Sequence, residues 1–115
     1  MVMGVHYSPK IVTDGLVLCY DAANTRSYPG TGTTWTDISA GFSDSMVSRS
    51  TADNGTLTNG PTFDTTNKGS IVFDGANDRV AISLGSLPTP QSSSNFTYEA
   101  VVKFDSLGWR TVFSQ

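Results

Sequence analysis

From Phe96 to Asp105 the chain alternates between two sets of side chains almost without a break. Phe96, Tyr98, Ala100, Val102 and Phe104 share one parity, and Thr97, Glu99, Val101, Lys103 and Asp105 share the other. A period of two is that of a β-strand with one face covered, so "FTYEAVVKFDS" is predicted to be the cleanest strand in the sequence. Earlier, "GLVLCYDA" sets Leu16, Leu18 and Tyr20 against Val17, Cys19 and Asp21. Both of its faces are mostly apolar, which predicts a strand buried on two sides. Shorter extended pieces are expected around Leu57 and Phe63, punctuated by Asn59-Gly60-Pro61. "SIVFDG" and "DRVAISL" are predicted to be two core strands of a hairpin, with Asp74-Gly75 making the turn and Phe73 and Val80 pointing inward. "WRTVFSQ" begins a further strand.

Between these pieces the chain is loop. "NTRSYPGTGTTWTD" is full of turn formers and carries Trp35 as an aromatic anchor. "ISAGFSDSMVSRSTADNG" is the least periodic part and is read as irregular, with room for one helical turn around Ser43 to Ser48. "LPTPQSSSN" is a polar linker. No stretch has the period of a ten-residue helix, and the acids agree. Nine of the ten are Asp and only Glu99 is Glu, and Asp favours turns and caps over helix interiors. Residues 1–13 read as a lead-in and 14–115 as one domain. Its class is all-β, an antiparallel jelly roll or β-sandwich.

Charge and cysteine content remove several function classes. The formal net charge is −3, and the seven basic residues are scattered from Lys10 to Arg110. Nucleic-acid binding needs a basic stripe, so that class is rejected. No apolar run approaches membrane-spanning length, and the opening residues lack the apolar core of a signal peptide. Cys19 is the single cysteine and has no internal disulfide partner, as expected of a chain folded in a reducing cytoplasm. Two sequons, at Asn54 and Asn95, are chance matches on the same reasoning.

Four pieces occur in order: "PKIVTDGLVLCYDAANTRSYPGTGTTWTD", "NGTLTNGPTFD", "GSIVFDGANDRV" and "FTYEAVVKF". Together they resemble the N-terminal half of LamG-like domains of the concanavalin A-like lectin/glucanase superfamily, in the form carried by bacteriophage virion proteins. The resemblance runs from Ser8 to Phe104. It departs from the family in the longer stretch between Asp37 and Asn54 and in the absence of the family's second set of strands. What it implies is a partial LamG-like sandwich with no enzymatic activity. Its expected role is in the capsid, neck or tail of a virion assembled in the host cytoplasm, as decoration or as a contact to host glycans. An incomplete sandwich leaves strand edges open, so the expected partners are other virion proteins in a homo- or hetero-oligomer. A stand-alone carbohydrate-binding module and a polysaccharide-degrading enzyme are the alternatives.

Each candidate for chemistry has a plainer reading beside it. Glycoside hydrolysis needs two facing carboxylates; Glu99 has no such partner in its motif and reads as a solvated strand residue. A Ser-His or Cys-His relay fails because His6, the only histidine, lies in the lead-in. Cys19 has no basic neighbour to activate it and reads as a small buried hydrophobe. One Cys and one His exclude a zinc site. "GTGTTW" lacks the ending of a phosphate loop. For a sugar, Trp35, Tyr28 and Trp109 are the aromatic platforms in or near loops, set against their use as core anchors. No cofactor is expected, with calcium the one ion left open. Asp74, Asn77 and Asp78 supply its hard oxygen ligands, although tight-turn chemistry accounts for the same residues and is the favoured reading.

Overall fold

The computed structural model describes residues 11–42, 53–83, 95–106 and 108–114. His6, most of the lead-in, the helical turn expected at Ser43 to Ser48 and most of the polar linker lie outside them. Regular structure in the described residues is almost all strand, so the chain is all-β at this level. In order come β1 (Thr34–Trp35), β2 (Gly55–Thr58), β3 (Thr62–Asp64), β4 (Ser70–Val72) and β5 (Arg79–Ile82), with 3-10 turns at Ser39–Gly41 and Thr66–Lys68. β1, β2 and β5 form one antiparallel sheet in that order, and β3 and β4 form a second.

The registers show how the two sheets are related. Leu57 faces Val80 in the first sheet and Phe63 faces Ile71 in the second. β2 and β3 thus run as one arm, and β4 and β5 return antiparallel as the other. This is a single long hairpin that changes sheet part-way along. Its turn lies between β3 and β4. There Asp64 Oδ1 accepts the Thr66 amide at 2.8 Å, and Asn67, Lys68 and Gly69 take φ of 56°, 71° and 126°. Left-handed backbone favours Gly and Asn. Gly69 is fixed twice over, since a Cβ there would stand 2.7 Å from the Ala22 carbonyl oxygen.

This corrects the hairpin expected at Asp74-Gly75. β4 and β5 belong to different sheets and do not pair with each other. Instead Phe73 to Asp78 bulge outward opposite Asn59, Gly60 and Pro61, where the hairpin crosses from one sheet to the other. Asn59 and Gly60 turn the shorter arm with φ of 71° and 107°. The Asn59 side-chain amide donates to the Asn77 carbonyl at 2.8 Å and ties the two crossings together. Phe73, expected inside, is exposed in the bulge. Val80 does turn inward, packing over Gly55, where a Cβ would come within 2.6 Å of its Cγ1.

The interior is small. Among the described residues, Tyr28 (4% exposed) and Leu57 (6%) are its most enclosed apolar residues. Two tilted ring pairs extend it, Tyr20 on Trp35 and Tyr28 on Phe63, each with centroids 5.4 Å apart. Alternation is visible in β2, where Gly55 and Leu57 are buried and Thr56 points outward.

Three expected strands take another form, the one that "WRTVFSQ" begins among them, since residues 109–114 join no ladder among the described residues and are exposed. Residues 16–20 are half-buried on both parities, as expected, yet join no ladder and are held chiefly by Asp37 and Ile38. The alternating stretch from Phe96 to Asp105 likewise joins no ladder among the described residues, and every residue in it is exposed. Alternation reports which face of a strand is apolar and says nothing of what lies beside it.

Candidate functional site

The three aromatic residues singled out for sugar contact occupy three different environments. Tyr28 is enclosed: its ring lies on Phe63 and its hydroxyl donates to the Gly32 carbonyl at 2.8 Å. Trp35 is half-buried on Tyr20, and its indole nitrogen is buried without a hydrogen-bond partner. Trp109 is 101% exposed. No shared platform brings the three together, and Trp109 alone presents an open ring.

Asp74, Asn77 and Asp78 do come together in the bulge. Asp74 Oδ1 accepts the amides of Ala76 at 2.8 Å and Asn77 at 3.3 Å, while Asp78 Oδ2 accepts the Asp74 amide at 3.0 Å. These bonds, the Ala76 amide foremost, hold the Asp74 carboxyl below the ordinary carboxylate value. Two of the oxygens available to a cation are therefore already used to close the bulge, whereas Asp78 Oδ1 is buried and unpartnered. Among the described residues no group of three or more His, Cys, Asp or Glu side chains is arranged to hold a metal ion.

Among the described residues, the densest polar cluster is one that the residue types do not advertise. Asp37 is 4% exposed. Its Oδ1 accepts the amides of Cys19 and Ser39, both at 2.9 Å, and its Oδ2 accepts the Ser39 hydroxyl at 2.9 Å and the Asp53 amide at 3.3 Å. The Asp37 amide in turn donates to Asn54 Oδ1 at 3.0 Å. One carboxylate thus joins three stretches of chain distant in sequence. Ser27 does the same on a smaller scale, accepting the Asp21 amide at 3.0 Å and donating to the Thr36 carbonyl at 2.7 Å. The only signal in the sequence was the short Asp-x-Ser of Asp37 to Ser39, a local turn pattern.

Around this cluster the nucleophilic side chains are held in their protonated forms. Burial, then the charges of Asp37 and Asp21, push the Cys19 thiol up. Burial, then Asp37 and Asp53, push the Tyr20 phenol well above its usual value, and its hydroxyl donates to the Asp53 carbonyl. A thiol in such a setting is a poor nucleophile, and the cluster is built to join chain segments.

The remaining feature is the stretch 95–114. Phe96, Tyr98, Val101, Val102, Phe104, Trp109, Val112 and Phe113 are all exposed, Val101 at 99%. Tyr98 and Phe113 stack with centroids 5.5 Å apart, which sets residues 108–114 beside 95–106. Glu99 lies in the same open stretch, and Lys103 pairs at 3.5 Å with Asp105.

Comparison with known proteins returns no matching family model, no matching curated protein and no matching solved structure. Among the described residues no helix is long and apolar enough to cross a membrane.

Proposed function

We propose that this chain is a non-enzymatic structural component of a bacteriophage particle. In this reading it is a LamG-like jelly-roll sandwich that decorates capsid, neck or tail and works through contacts with other proteins of the particle. The observation that supports it best is the open aromatic and aliphatic surface of residues 95–114. Large apolar side chains left exposed together along one stretch, with no cover among the described residues, are what a surface made for contact looks like. The ordered sequence motifs and their resemblance to phage LamG-like domains supply the particle.

Mass spectrometry and immunogold labelling of purified phage particles test this reading. Stoichiometric protein at one position on the particle is the expected result. Presence in the infected-cell lysate with none on particles overturns it.

Trp109 favours a second reading, carbohydrate binding, because a fully open indole is the usual platform for a sugar ring. A glycan array with wild type and Trp109→Ala separates the two. Saturable binding lost in the variant supports the sugar, and silence of the wild type across the array removes it.

A further inference from the structure

The stretch 97–105 is complementary to itself when a second copy runs antiparallel to it about Val101. In that register Glu99 of each copy stands opposite Lys103 of the other, Tyr98 opposite Phe104, Ala100 opposite Val102, and Thr97 opposite Asp105. Opposite charges directly across an antiparallel pair stabilise it, and like charges destabilise it. Neighbouring registers that keep the apolar face intact lose this match. Centred on Ala100, Glu99 faces Val101; centred on Val102, Glu99 faces Asp105; centred on Glu99 or Lys103, that charge meets itself. Registers that shift by half a step turn the apolar face of one copy away from that of the other.

We propose that two copies of this chain associate by antiparallel pairing of residues 97–105 about a two-fold axis at Val101. The proposal rests on reading 95–114 as a contact surface and names its partner. Every residue of the stretch is exposed, so backbone and side chains are accessible. A two-stranded ribbon alone is marginal in water, whereas three or more strands with an apolar face are not. The Tyr98–Phe113 contact sets residues 108–114 of each copy against the stretch, which adds apolar surface to the paired unit. Its apolar face combines Tyr98, Ala100, Val102 and Phe104 from both copies. Because the axis passes through the pairing, the contact is isologous and closes at two.

Sedimentation velocity on the full 115-residue chain over a range of concentrations tests this. Wild type is expected to be in monomer–dimer exchange. Glu99→Lys and Lys103→Glu, each placing like charges opposite one another twice, are expected to weaken the dimer by roughly tenfold or more. The double substitution restores opposite charges and dimerisation, and so does an equimolar mixture of the two single variants. Circular dichroism melts confirm that the single variants are folded, and rescue by mixing guards against any that are not. A wild-type monomer at all concentrations overturns the proposal, as does a dimer equally tight in every variant. A monomer still found stoichiometrically on particles would overturn the pairing alone and leave the structural role standing.

Discussion

Replacing Asp37 with Ala leaves the amides of Cys19, Ser39 and Asp53 and the Ser39 hydroxyl without their acceptor inside the fold. Buried donors stripped of a charged partner cost more than the bonds themselves were worth. The expected loss is about 3 kcal/mol, read as a lower urea midpoint at unchanged slope. Tyr20 makes a different forecast, in pH. Its folded-state value is raised, so its contribution is fully present below the unfolded value of about 10 and lost as pH rises through the folded value. The melting temperature should therefore fall above about pH 10. Tyr20→Phe should flatten that fall, leaving the smaller slope due to Cys19, whose value is raised as well. An unchanged alkaline profile in the variant would contradict it. At this scale the sequence was least legible. Asp37 looked like one loop Asp among nine, because its role depends on amides of Cys19 and Asp53 that only the folded chain brings to it.

Among the elements, β2 is pinned by the absence of a side chain at Gly55. It pairs with Trp35 on one side and Ile82 on the other, and a Cβ would press on Val80 and meet the Tyr20 ring at 3.4 Å. Gly55→Ala is expected to cost about 1–3 kcal/mol by overpacking, measurable by chemical denaturation; a neutral result would mean that Val80 yields freely. The bulge gives a test of calcium. Asp74 contributes to stability above the usual carboxylate value and loses that contribution as pH falls through its lowered one. Asp74→Ala should lower the melting temperature at pH 7, by an amount that shrinks below about pH 4 and is the same in Ca²⁺ and in EDTA. A wild-type melting temperature that rises with Ca²⁺ would show that the bulge binds the ion. Strand content was legible here and pairing was not. Gly55 to Thr58 and Arg79 to Ile82 declare themselves by alternation. The turn at Asn67 to Gly69 carries a weaker hairpin motif than Asp74-Gly75, whose Asp oxygens close a bulge instead.

For the molecule as a whole, composition and turn chemistry were enough for the all-β class. They did not indicate the division between a tied region, where Asp37, Ser27 and the ring pairs join distant segments, and an open one at 95–114. Alternation in 96–105 marks one apolar parity in the sequence, whereas in the structure both parities are exposed and the stretch joins no ladder among the described residues. What covers such a face is a question of neighbours, and the pairing proposed about Val101 would answer it with a second copy. A dimer so built gains stability with concentration. The bulge at Phe73 to Asp78 has a consequence for change over evolutionary time and in engineering. The register of β4 is set by β3 through the turn at Thr66–Lys68, and that of β5 by β2, so neither depends on how many residues join them. Extra residues between Gly75 and Ala76, both exposed, lengthen that bulge at the cost of the bonds from the Ala76 and Asn77 amides to Asp74. That is where this chain can accept an inserted peptide or a tag with every strand pair left as it is.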